Sequence, residues 1–93
     1  MDLLRLHRWR FVHSRPARTE HGWRTALEGD AGWFDFAAMR GGRLLLIEAK
    51  SGRGRLSAEQ MAWRAEALLV PCAEYYVWGR EDLEGGTVER VLR

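Results

Sequence analysis

The pair Gly41-Gly42 constrains this chain most, because strand-like runs, Asp35 to Arg40 and Arg43 to Lys50, abut it on either side. Adjacent glycines accept positive φ at both central positions of a tight turn, and a two-residue connection then sets the hairpin register. Counting outward pairs Arg40 with Arg43, Met39 with Leu44, Ala37 with Leu46 and Phe36 with Ile47. The next pair is Asp35 with Glu48. Leu44-Leu45-Leu46-Ile47 is apolar on both faces, so this strand is expected in the interior of the protein.

Two carboxylates facing each other across an antiparallel pair destabilise it unless positive charge lies between them. A divalent cation meets that need, and two carboxylates with nearby carbonyls suit Mg²⁺ or Mn²⁺. Strand alternation places Lys50 on the face of Glu48, roughly 6–7 Å along, while Ala49 points the other way. Two acids and an amine on one sheet face suit metal-assisted phosphodiester hydrolysis, with the lysine acting as base or as electrostatic stabiliser. The competing reading is a solvated hairpin on which Lys50 simply bridges the two acids. The apolar flanks weigh against it, since uncompensated charge is costly in the interior.

Around this hairpin the pattern predicts an α/β domain spanning residues 1–93. Residues Met1 to Leu6 read as the end of a helix, and Trp9 to His13 as a strand. From Ser14 to Trp33 periodicity disappears, and a long polar loop is expected. Ser57 with Gln60 three residues on forms a capping-box signature opening a helix. Met61, Ala65, Leu68 and Leu69 follow at helical spacing and are expected to face the core, with Pro71 as the stop. Glu74 to Trp78 reads as a central strand, and Thr87 as the cap of a last short helix through Leu92. A helix between the third and fourth strands implies a crossover, hence a parallel pair in a mixed sheet.

Composition narrows the classes further. The formal charge is +2, so the chain is no polycation, yet of its 15 Lys and Arg residues only Lys50 is lysine. An arginine bias of this kind reflects coding composition as readily as selection, which makes the one retained ammonium informative. The single Cys72 forms no internal disulfide and fits a reducing, cytoplasmic setting; neither a membrane span nor a signal peptide is evident. His7, His13, His21 and Cys72 fall at no paired zinc-ligand spacing. A core this small leaves surface for a second copy, and a homodimer is expected.

Asp35 followed at a hairpin's distance by Glu48-Ala49-Lys50 resembles the PD-(D/E)XK nuclease superfamily. The stretch from Gly32 to Trp78 is similar to its small VRR-NUC members. The ordered features are Gly32-Trp33-Phe34-Asp35, a Gly-Gly-Arg turn, Ile47-Glu48-Ala49-Lys50-Ser51, Gly54-Arg55-Leu56-Ser57, Glu59-Gln60 and Tyr76-Val77-Trp78. His13-Ser14-Arg15-Pro16-Ala17-Arg18-Thr19 is similar to members with a longer loop. The resemblance implies a restriction-endonuclease-like mixed sheet with an αβββαβ core. It implies that Asp35, Glu48 and the Ala49 carbonyl hold the metal, that Lys50 assists catalysis, and that Gln60 supports the site. Two departures stand out. Phe34 replaces the family's usual proline, and the N-terminal helix is expected to be truncated, with Asp2 its only acid.

His13, Arg15, Arg18, Arg53 and Arg55 are candidate phosphate contacts, with solvated side chains as the plain alternative. Trp23 and Trp33 are candidates for stacking on bases or for the core. Three functions therefore stand at this stage. The first is a Mg²⁺- or Mn²⁺-dependent DNA endonuclease, with selectivity for branched or flapped DNA through dimer geometry. The second is a catalytically weakened nuclease-like module that binds DNA or supports assembly. The third is a protein-binding domain.

Overall fold

The computed structural model describes residues 2–14, 17–19, 22–24, 28–50 and 54–93, the strands at 17–19 and 22–24 by their backbone alone. The elements in order are α1 (Asp2–Leu6), β1 (Arg10–His13), β2 (Ala17–Thr19), β3 (Gly22–Arg24), β4 (Phe36–Arg40) and β5 (Arg43–Ala49). They continue with α2 (Ala58–Ala67), β6 (Ala73–Trp78), α3 (Arg80–Glu84) and α4 (Thr87–Leu92). This is a small α/β fold whose main sheet has the order β1-β4-β5-β6. β1, β4 and β5 are antiparallel neighbours, and β5 runs parallel to β6, as the crossover through α2 requires.

The turn behaves as the two glycines dictate. Gly41 and Gly42 have φ of 56° and 85°, and β4 pairs with β5 from Arg40↔Arg43 out to Phe36↔Ile47. That register sorts side chains by parity into two cores. Leu45 and Ile47 point with Phe36, Ala38 and Trp78 toward α1 and α4, where Leu4, Trp9, Val88 and Leu92 close the first core. Leu46 points the other way, toward Phe34, Ala67, Trp63 and Tyr75 under α2. Each fully buried aliphatic of the first core contributes about 1.5–3 kcal/mol from burial.

Several expectations are corrected. The interval from Ser14 to Trp33 holds the β2–β3 ribbon; three-residue strands are too short for periodicity to show. Within the main sheet β6 is an edge strand, not a central one, and its two faces pack against α2 and α4. α3 went unanticipated, and Gly86, at φ 84°, precedes α4 in the capping position expected of Thr87.

The capping box of α2 forms as expected, with Ser57 Oγ accepting from the Gln60 amide and Gln60 Oε1 from the Ser57 amide. Its core face does not. Met61, Leu68 and Leu69 are 46%, 56% and 76% exposed, and the buried side is carried by Trp63 and Ala67. The Trp63 indole decides this rotation: its Nε1–H donates to the Ala31 carbonyl at 2.9 Å, and its ring meets Trp33 edge-on at 4.9 Å. An aromatic that satisfies its polar tip while burying its body outweighs one thioether and two leucines.

The C-terminal turn of α4 is held from the hairpin. Arg40 donates to the carbonyls of His7, Leu92 and Arg93, and Arg43 to that of Val91 while gripping Glu74 with two bonds of 2.8 Å. Both guanidiniums lie over the Trp9 ring, whose own N–H donates to Leu92. Cationic donors are favourable at a helix C-terminus, where carbonyls lack partners. Among the described residues no helix is long and apolar enough to cross a membrane. Arg40→Ala should therefore lower unfolding free energy by roughly 2–3 kcal/mol. Met61→Gln, on the exposed side of α2, should change it by less than about 0.5 kcal/mol; urea titration separates the two.

Candidate functional site

The site is built where β4 begins and β5 ends. Asp35 is fixed through backbone and side chain together: its carbonyl accepts from the Ser14 amide at 2.8 Å, and its Oδ2 from the Ala49 amide at 2.7 Å. The segment before it is pinned by Gly32, whose φ is +92°. A Cβ there would lie 2.6 Å from the Glu59 carbonyl carbon and 2.8 Å from the Gln60 nitrogen. Gly32 thus lets the approach to Asp35 lie directly on the first turn of α2, a contact that any side chain would push apart.

Continuing the β4–β5 register puts Glu48 opposite Asp35, on the face shared by Leu46 and Tyr75. Glu48 is the only buried charged residue among those described, at 1% exposure. Neither carboxylate oxygen has a hydrogen-bond partner. Burial first, and the Asp35 charge second, push its carboxyl up to about 7. The Asp35 backbone amide pulls slightly the other way, without reaching hydrogen-bonding geometry to either oxygen. A buried acid with two empty acceptors is expensive, so the position calls for a donor or a cation.

Lys50 does not supply it. Its side chain is exposed and makes no ion pair with Asp35 or Glu48, which removes the reading of a lysine bridging two acids. Its backbone amide donates to Trp78 at 2.8 Å, which anchors the end of β5 to β6 and leaves the ammonium at the rim.

Tyr75 was not singled out from the sequence, yet its hydroxyl is also buried without a partner. Tyr75 pairs with Leu46 in the parallel register, so it stands diagonally from Glu48 on the same face. Burial and then the Glu48 charge raise its phenol above the ordinary value, against a smaller opposing effect of Arg64. The signal available in sequence was weak, because the facing of Tyr75 depends on a parallel register that no turn fixes.

The remaining candidates are dispersed. Gln60 has its side-chain oxygen committed to the Ser57 cap, and no bond joins it to either acid. His13 stacks on Phe36 at 4.0 Å, on the sheet face opposite Glu48. Arg55 is exposed. Arg15 and Arg53 lie outside the described residues, as does the side chain of Arg18 and that of Trp23. Trp33 packs in the second core. α1 packs across the sheet from Glu48, so Asp2 belongs to the other face.

Among the described residues, no three His, Cys, Asp or Glu side chains gather as a metal cage. Asp35, Glu48 and the Ala49 carbonyl still fit a hard cation that keeps several waters, as Mg²⁺ does with one or two carboxylates. The two unpartnered Glu48 oxygens are the observation behind that fit. Comparison with protein families, with curated proteins and with solved structures gives no match in any of the three.

The raised Glu48 acid has a definite sign. Between about pH 4.5 and 7 the folded protein keeps a proton that the unfolded chain has lost, so stability falls as pH rises through that window. Glu48→Gln removes the effect. In metal-free buffer, the stability of the variant relative to the wild type should grow on the order of 3 kcal/mol between pH 4.5 and 8. Parallel urea titrations at the two pH values test this; a constant difference would show that Glu48 is not held as a buried acid.

Proposed function

We propose that this protein is a metal-dependent DNA endonuclease with a restriction-endonuclease-like core. The observation that carries the reading is the buried Glu48 carboxylate, unpartnered at both oxygens and facing Asp35 across the hairpin. Asp35, Glu48 and the Ala49 carbonyl would hold Mg²⁺ or Mn²⁺. A cation bound there supplies Lewis acidity and offsets the charge of a phosphodiester.

The protein's own groups do the rest. Glu48 holds its charge in a desolvated position, where its pull on a cation is stronger than at the surface. The Ala49 amide fixes Asp35 Oδ2 and leaves Oδ1 to the site. Lys50 at the rim is exposed and has no acidic partner among the described residues, so its ammonium is available to a phosphate oxygen or an attacking water. The Tyr75 hydroxyl is a further buried donor from the same sheet face, not bonded to Glu48. Gln60 acts on the site at one remove, by capping the helix that Gly32 touches.

A second reading, a nuclease-like module that binds DNA without cutting it, is favoured by one observation: no third acidic side chain joins the two among the described residues. One assay separates the readings. Linear, flapped and branched DNA are incubated with Mg²⁺ or Mn²⁺ and with wild type, Asp35→Asn or Lys50→Ala. The nuclease reading expects metal-dependent cleavage by the wild type and a loss of at least about 100-fold in each variant. Cleavage that survives both substitutions sinks the assignment. DNA binding without cleavage supports the second reading.

A further inference from the structure

We infer that Arg5, Arg8 and Arg10 form a second nucleic-acid contact, a phosphate-binding ridge at the end of β1 remote from Glu48. The three side chains surround an open hollow of about 430 Å³ whose remaining lining is Trp9 and Phe11. All three are exposed, and none has an acidic partner among the described residues. Arg5 lies over the Phe11 ring at 5.0 Å, which holds its guanidinium beside the hollow.

The backbone at Arg8 is the second observation. α1 ends in a reciprocal pair of bonds, Trp9 amide to Leu4 carbonyl at 2.8 Å and Arg8 amide to Arg5 carbonyl at 3.1 Å. That motif places one residue in the left-handed region, where glycine is the usual occupant. Here it is Arg8, at φ 63°, the only non-glycine with positive φ among the described residues. A chain with ten glycines has placed an arginine where glycine would relieve strain. Strain retained at a surface position points to a use for the side chain.

Placement then suggests the ligand. Arg10 pairs with Met39 at one end of β1, and Ser14 bonds Asp35 at the other. At about 3.3 Å per residue, the ridge stands roughly 13 Å from Asp35. Measured along the axis of a duplex, that is about four base-pair steps. Arg10 and Val12 share the sheet face of Ala37 and Leu46, hence of Glu48. Phe11 and the Arg5 above it lie on the α1 face, so the hollow wraps the β1 edge of the sheet. Val12, between Arg10 and the acids, is exposed. Beside α2, by contrast, Asp30, Glu59 and Glu66 line a hollow that repels a polyanion. A phosphodiester backbone leaving the acidic pair is thereby directed along β1 to Arg10, and round the edge of the sheet to Arg8 and Arg5. The choice of nucleic acid as the polyanion rests on the nuclease reading.

The test measures binding in EDTA, so that it does not depend on cleavage. Fluorescein-labelled duplex and single-stranded DNA are titrated with wild type, Arg8→Gly and the triple variant Arg5→Ala/Arg8→Gly/Arg10→Ala over a range of salt. The triple variant should bind on the order of tenfold or more weakly at 0.1 M salt. Its log K against log[salt] slope for duplex should be shallower by about 2–3, near 0.9 per lost contact. Arg8→Gly should bind more weakly while its Tm stays level or rises, a combination that a purely structural role does not give. Unchanged affinity and slope in a folded triple variant would overturn the ridge, even with wild-type cleavage intact. Wild-type protein that binds phosphatidylserine vesicles but no DNA would overturn it too. A slope change without cleavage in Mg²⁺ would uphold the ridge and count against the nuclease reading alone.

Discussion

The antiparallel pairing of β4 with β5 across Gly41-Gly42 sets where nearly every functional and structural group of this protein lies. Because side chains alternate along a strand, that one register sends Leu45 and Ile47 to the α1–α4 side and Leu46 and Glu48 to the α2 side. A slip of one residue would put a carboxylate into the first core and an isoleucine or alanine opposite Asp35. The same turn carries Arg40 and Arg43, which reach across to the carbonyls of α4. Register, helix capping and the placement of the two acids thus share one origin.

Against that consistent framework Glu48 stands out as a local conflict. A half-buried acid elsewhere in the described structure is compensated. Glu74, held by Arg43 and then by Tyr76, keeps its carboxyl down near 2. Glu48 has no such partner, and its neighbour Asp35 makes matters worse. A small domain has little stability to spare on an unsatisfied acid. Local rules broken without compensation tend to mark places where the molecule does something. The hairpin therefore reads as a device for holding a carboxylate in an unfavourable setting, which the proposed cation would relieve.

What was legible in the sequence follows the range of each determinant. The hairpin register, the α2 capping box and the parallel crossover were all readable, because each depends on residues close together or on a connection rule. The buried face of α2 was not. Met61, Leu68 and Leu69 match the helical period, but the rotation is decided by Trp63 bonding Ala31, a contact between distant segments. The opposition of Asp35 and Glu48 was readable, whereas the involvement of Tyr75 was not, since it needs the parallel register of β6. Lys50 was readable as a candidate, but its lack of an acid partner appears only in three dimensions. The strained Arg8 leaves no mark in sequence beyond an arginine after a short apolar stretch.

The claim at the centre, that Glu48 and Asp35 form a cation site, is tested most directly by titration calorimetry with Mn²⁺ at several pH values. Wild type should bind Mn²⁺ with proton release that diminishes as pH rises above about 7, because the cation displaces the proton of the raised acid. Glu48→Gln should bind far more weakly and release no such proton. Equal binding by the variant, or no binding by the wild type, would contradict the assignment.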